Sequence, residues 1–222
     1  MSSLQNLQNL QKKVPLLISV IFSLSIVAAT VYRLYNSDRF QTPVVGVFLI
    51  FLYLVWLLIE SRVAITELKK DSTNIDKGTL EMYAFGRFAT VMASLIVAPS
   101  ITLNLVEHLI CLALFVCGII FRLYAINILG KFYSHRVRIT NDHKIISHGP
   151  YSFIRHPAYI GMIVGHLGFV LFFFNWVALS IYLCFFIPTI IHRILVEEKI
   201  LFMLPGYKEY ATKRKRIIPF VW

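Results

Sequence analysis

The sequence predicts an all-α integral membrane bundle of about six spans, or five if the third apolar run stays out of the bilayer. Three observations predict it. Hydrophobic residues make up 58% of the chain and charged residues only 15%, whereas a soluble domain is about half apolar and a quarter charged. The apolar residues gather into runs near the roughly 20 residues that a bilayer-crossing helix needs. The basic residues fall almost entirely between alternate runs, as the positive-inside rule requires of cytoplasmic loops.

The runs cover residues 14–34, 44–59, 83–98, 105–128, 158–174 and 176–191. The first follows Lys12 and Lys13 and is too long for the apolar part of a signal peptide. With no small-residue cleavage site after it, it reads as a retained span. The third run is the weakest, because Arg87 interrupts it. Residues 99–104 join the third and fourth runs, and Asn175 lies in the turn between the fifth and sixth. Links this short make antiparallel helical hairpins. Unpaired backbone is excluded from lipid, so helices are the spanning elements.

Charge sets the orientation. Lys12 and Lys13 precede the first run. Arg62, Lys69, Lys70 and Lys77 follow the second, and Lys131, Arg136, Arg138, Lys144 and Arg155 follow the fourth. Arg193, Lys199, Lys208 and the tail Lys213, Arg214, Lys215 and Arg216 follow the sixth. With six spans all of these share one side, and only Arg33 and Arg39 oppose them, so both termini are expected in the cytoplasm. The net charge of +11 reads as attraction to anionic headgroups rather than to nucleic acid. The basic tail reads as a headgroup anchor.

Glu60 to Glu81 reads as a solvated, mixed-charge connector, and 130–157 as a polar cytoplasmic loop long enough to be functional. The chain therefore divides into N-terminal spans over 1–128 and a second part over 129–222. Cys111, Cys117 and Cys184 lie in apolar runs without CxxC spacing and read as small buried hydrophobes. His135, His143, His148 and His156 match no common zinc spacing, so no metal is expected. Gly161, Gly165 and Gly168 allow close helix approach and read as packing. Glu107 and His108 read as an interfacial pair rather than a proton relay.

Two polar clusters stand out. Residues 149–161, GPYSFIRHPAYIG, lie where the long loop enters the fifth run. Pro157 suits a first helical turn, which presents Arg155 and His156 beside free N–H groups that favour an anion. The plainer alternative is a pair of interfacial anchors. At the end of the sixth run, Arg193 and Glu197 are four apart and share a helix face, with Glu198 beside them. Ionisable groups at the edge of a membrane helix are costly and commonly functional, although a surface ion pair is the alternative. An antiparallel hairpin would set the two clusters side by side.

RHPxYxG, an apolar hairpin, R-x3-EE, then Gly206-Tyr207-x2-Tyr210 and a late Pro219 together resemble the isoprenylcysteine carboxyl methyltransferase family, which is related to the membrane phospholipid methyltransferases. The likeness runs from about Tyr133 to Phe220. It implies methyl transfer from S-adenosylmethionine without a Rossmann domain, and no GxGxxG follows a strand here. It further implies a cofactor pocket of His143, Lys144, Ile145, Ile146, Tyr151, Arg155, His156, Pro157, Ala158, Tyr159 and Glu197. Arg193 would face the substrate, and Arg138 stands nearest the family's upstream glutamine.

Carboxylate methylation needs alignment more than proton transfer, since the leaving thioether is neutral, and Arg193 can hold a carboxylate. An amine acceptor would need a base, for which Glu198 is the candidate. The expected acceptor is a lipophilic or lipidated molecule, reached from a bacterial inner membrane or an endoplasmic reticulum. N- or S-methylation on the same fold is one alternative. A small transporter or scaffold is another, but transporters carry broken, polar helices at mid-membrane, and here the polar groups crowd one rim.

Overall fold

The computed structural model describes residues 2–36, 42–67, 78–133, 145–218 and 222, with side chains described from Leu17 onward except at 62–67 and 131. Among the described residues it is all-helical. Seven helices follow in order: α1 Ser2–Tyr35, α2 Pro43–Glu67, α3 Thr79–Ile96, α4 Leu105–Leu129, α5 Pro157–Phe172, α6 Trp176–Leu201 and the short α7 Tyr207–Lys213. Four of them hold stretches long and apolar enough to cross a membrane: Leu17–Tyr35, Pro43–Ser61, Leu105–Leu129 and Trp176–Leu201. The fifth apolar run is a shorter helix, Pro157–Phe172.

The third run is a helix whose polar residues point inward. Thr79, Arg87, Thr90 and Ser94 are buried, while Met82, Phe85 and Ile96 are exposed. Thr90 and Ser94 return their hydroxyls to the carbonyls of Gly86 and Thr90 at 2.8 and 2.9 Å, so burial leaves neither of these two hydroxyls unpaired. Its low hydropathy thus reflects what α3 shows to its neighbours rather than to lipid. α1 and α4 show the usual arrangement, with Ile21, Leu24, Val31, Ile110 and Ile120 outward.

The hairpin turns meet at one end of the bundle. Asn175 caps α6 by accepting from the Ala178 N–H at 2.8 Å, and its amide donates to the carbonyls of Phe173 and Ala93. The Ser100 N–H donates to the Phe174 carbonyl at 2.9 Å. Arg33, at the end of α1, donates to the carbonyls of Ser94 and Leu95 and lies over the Phe173 ring. Asn104 and Glu107 form a capping box on α4, and His108 bonds the Asn104 carbonyl and meets Phe172. Glu107 and His108 therefore close a helix end, each through Asn104.

α4 and α5 form the tightest contact. A Cβ on Gly161 would fall 2.6 Å from the Arg122 nitrogen, and one on Gly168 would fall 2.5 Å from that of Phe115. Gly118 on α4 receives the same stripe, since a Cβ there would approach the Gly161 carbonyl to 2.8 Å. The expected packing role of the small residues is what the geometry displays. α6 contains one wide turn, Tyr182–Phe186, where the Ile187 N–H bonds back to Tyr182. Pro188 follows, with no N–H of its own and a ring that disturbs the preceding turn. α3 packs on this turn at Gly86, whose added Cβ would lie 3.3 Å from the Phe186 Cα.

The connector after the second run is shorter than its charge implied. α2 continues to Glu67 and α3 begins at Thr79. Glu60 is buried inside the bundle rather than solvated, because two arginines and an indole N–H satisfy its carboxylate, as described below.

Candidate functional site

At the end of the bundle opposite the hairpin turns, the chain before α5, the last turns of α6 and the C-terminal segment are tied together. Gly149, at φ +59, lets residues 149–152 turn tightly against Ile128. The tail then runs alongside. Arg155 and His156 N–H groups donate to the carbonyls of Lys215 and Arg216, both at 2.9 Å. Arg214 donates to the Ser152 carbonyl at 3.1 Å, and the Tyr210 hydroxyl donates to that of Tyr151 at 2.8 Å. Burial raises the hydroxyl pKa of Tyr151 and Tyr207 well above the ordinary value, and that of Tyr210 to about 12. All three hydroxyls are protonated at physiological pH.

Glu198 is the hub of this end. Its Oε1 meets Arg155 Nη2 at 3.0 Å and His156 Nε2 at 3.2 Å, and its Oε2 accepts from Arg216 Nε at 2.6 Å. The carboxylate is nearly fully buried. A buried anion is tolerated when its lone pairs are filled by charge-assisted donors, as here. Glu197, one residue earlier, takes a different partner. The Tyr159 hydroxyl donates to Glu197 Oε2 at 2.9 Å and accepts from Arg193 Nε at 3.0 Å. Arg193 also donates to the Thr79 hydroxyl at 3.1 Å and faces the Tyr83 ring.

The two clusters singled out in the sequence are thus one constellation. His156 pairs with Glu198, whereas Glu197 joins α5 through Tyr159. Pro157 and Ala158 form the buried first turn of α5. Ile146 packs on Ala125, Tyr151 and Ala158, and Ile145 lies over Gly206 at the start of α7. His143, Lys144, Arg138 and His135 lie outside the described residues.

Several participants were not read from the sequence. Arg216 and Arg214 belong to a basic run whose composition speaks only of headgroups, yet they bond Glu198 and Ser152. Thr79 and Tyr83 sit on α3, Thr79 in the stretch read as connector and Tyr83 at the start of the run with the weakest apolar signal. A second buried cluster adjoins the first. Glu60 Oε2 accepts from Arg87 Nη1 at 3.0 Å, and its Oε1 accepts from Trp56 Nε1 at 2.9 Å and from Arg122 Nε. Arg122 also donates to the Ala158 carbonyl and the Tyr133 hydroxyl, both at 3.1 Å. Deeper in the bundle, His166 bonds Tyr53 at 3.2 Å and the Met162 carbonyl at 2.9 Å. Glu60 closes an apolar run, but its two arginine partners, Arg87 and Arg122, lie 27 and 62 positions away.

Two buried polar atoms at the site have no hydrogen-bond partner among the described residues, Arg155 Nε and the Tyr207 hydroxyl. Tyr207 lies within electrostatic reach of Glu197, Glu198 and Arg155. Unpaired buried donors are rare unless a ligand or water completes them. Both atoms can donate to a hydrogen-bond acceptor that a ligand would bring to this end.

A helical bundle with apolar membrane-length helices and this polar end is the class that the fold and site define. Residues 110–203 match the model of the isoprenylcysteine carboxyl methyltransferase (ICMT) family, which bears out the resemblance carried by the RHPxYxG and R-x3-EE motifs. The chain is 34% identical over 126 residues to the protein-S-isoprenylcysteine O-methyltransferase of Saccharomyces cerevisiae, covering 55% of this chain and 52% of that protein. It is 32% identical over 117 residues to a probable protein-S-isoprenylcysteine O-methyltransferase of Oryza sativa subsp. indica, covering 50% and 60%. With protein-S-isoprenylcysteine O-methyltransferase B of Arabidopsis thaliana it shares 29% over 114 residues, covering 50% and 58%. The matched stretch spans between half and two thirds of the length of these relatives.

Proposed function

We propose that this chain transfers a methyl group from S-adenosylmethionine to a lipophilic, membrane-borne acceptor, by carboxyl O-methylation of an isoprenylcysteine-like substrate. The observation that carries the reading is the convergence of Arg193, Tyr159 and Glu197 beside His156 and Glu198. It occurs at one end of a bundle whose matched relatives are named for that reaction.

In this reading the first turn of α5, Glu197, Tyr151 and the segment 143–146 hold the cofactor, and the unpaired Arg155 Nε and Tyr207 hydroxyl complete its polar contacts. The cofactor supplies an electrophilic methyl on a sulfonium, with a neutral thioether as leaving group. Arg193 receives the acceptor carboxylate with a charge-assisted bond, and Tyr159 holds the guanidinium and Glu197 at fixed spacing. No proton moves, since a carboxylate attacks and a neutral ester and thioether result. Alignment out of water contributes on the order of several kcal/mol to such a displacement. Glu198 acts as an anchor in this scheme. With both oxygens occupied by Arg155, His156 and Arg216 it is a poor base, which favours a carboxylate acceptor over an amine. In this reading the site end, which among the described residues carries Arg155, Lys199 and the basic tail 213–216, faces the cytoplasm, where the cofactor is found, while the acceptor enters from the lipid.

The test uses purified protein in detergent and membranes supplied with labelled cofactor. Saturable binding of S-adenosylmethionine and a base-labile labelled product are expected. A base-stable product would exclude a methyl ester, and absence of cofactor binding would overturn the reading.

A further inference from the structure

We propose that Glu60, on α2 and outside the family-matched stretch, is a positioning residue for the cofactor site, acting through Arg122. The inference rests on the proposed methyltransferase reading. Glu60 and Arg122 come from helices 62 positions apart, and both are buried. Each nitrogen of the Arg122 guanidinium has its own task. Nε goes to Glu60, Nη1 to the Ala158 carbonyl and Nη2 to the Tyr133 hydroxyl. Ala158 belongs to the first turn of α5, between His156, which meets Glu198, and Tyr159, which meets Glu197. Tyr133 is the last described residue before 134–144. Gly161 packs directly on the Arg122 backbone, where a Cβ would lie 2.6 Å from its Cβ and nitrogen, so the base of the Arg122 side chain is held close against α5. The orientation of its fork is then decided by the anion at Nε.

Glu60 is held in turn from two other directions, by Trp56 Nε1 and Arg87 Nη1. It is the shared anion between two buried guanidiniums. Making it neutral leaves both cations less compensated in a low-dielectric interior, where like charges repel strongly. The planar fork of arginine transmits this to geometry, because a rotation that relieves Nε carries Nη1 and Nη2 off Ala158 and Tyr133. The turn that presents His156 and Tyr159 then loses its brace. A site displaced on the ångström scale binds and aligns its ligand less well.

The experiment measures equilibrium binding of labelled S-adenosylmethionine to the full chain in detergent, together with the thermal midpoint of each variant. Glu60→Gln is expected to weaken binding about tenfold well below its unfolding midpoint. Glu60→Asp, which keeps the charge, is expected to recover most of the affinity. Arg33→Met removes a buried arginine at the far end and is expected to lower the midpoint without changing affinity, which separates positioning from general destabilisation. If Glu60→Gln yields no folded protein, Arg122→Lys carries the test. It keeps a cation beside Glu60, loses the fork on Ala158 and Tyr133, and should weaken binding to a similar degree. A parent that binds, with Glu60→Gln or Arg122→Lys binding equally well, overturns the inference alone. A parent that does not bind the cofactor overturns both the inference and the function on which it rests.

Discussion

The His156 imidazole and the Glu198 carboxylate meet at 3.2 Å although 42 positions separate them. The meeting closes the α5–α6 hairpin at the end opposite its turn. The same carboxylate takes Arg155 from the loop and Arg216 from the tail, so three chain segments are registered on one anion.

Glu198→Gln should therefore destabilise the fold more than it alters any single contact. Removing a buried partner of two arginines costs about 3 kcal/mol or more. A lowered thermal midpoint and faster proteolysis of the tail are expected. Arg216→Ala, on a side chain that retains solvent contact, should cost less. Equal midpoints for Glu198→Gln and the parent would show that the hub contributes nothing.

Glu197→Ala should leave the fold largely intact and weaken S-adenosylmethionine binding by about tenfold or more, because Glu197 is only half-buried and bonds Tyr159 alone among the described contacts. Titration with labelled cofactor reads this directly. Binding as tight as the parent's would remove Glu197 from the cofactor site.

The glycine contact between α4 and α5 predicts an ordered series. Gly168→Ala and Gly118→Ala place a Cβ within 3 Å of backbone atoms and should destabilise by about 1–3 kcal/mol or more. Gly165→Ala meets nothing nearer than 3.6 Å and should be tolerated. Thermal midpoints of the three variants in one detergent decide it. A Gly165 variant less stable than the other two would contradict the packing described.

The docking of the tail should depend on pH at the alkaline end. Tyr210 is raised from 10 to about 12 chiefly by burial, and its protonated hydroxyl donates to the Tyr151 carbonyl. A folded-state value above the unfolded one means the contribution is complete below pH 10 and is lost as pH rises towards 12. Phenolate absorbance against pH should show Tyr210 titrating late, and Tyr210→Phe should remove that component. Titration of the component near pH 10 would show the ring to be solvated.

The membrane character, the hairpins and the RHPAY and EE clusters were legible because each is a local pattern of apolar runs, short links or adjacent ionisable groups. Asn175 and the glycine stripe were legible for the same reason. Glu60 and Arg216 were not, since each sits in a charged stretch that composition reads as solvated. Partners distant in sequence, Arg122 for one and Glu198 for the other, help turn them inward. α3 was underrated because hydropathy scores a residue without knowing which neighbour it faces. Arg87, the residue that weakened that run, is held by Glu60 inside the bundle.

The wide turn at Tyr182–Phe186 has a rotational consequence. One additional residue in a helical turn twists everything beyond it by about 100° relative to an unbroken α-helix. Arg193, Glu197 and Glu198 all lie beyond that point. Without the extra residue the same face of α6 would swing away from α5, and the acids would leave Tyr159 and His156 behind. The aim of the polar end is therefore set about two turns upstream of it, by a phase step beside Pro188.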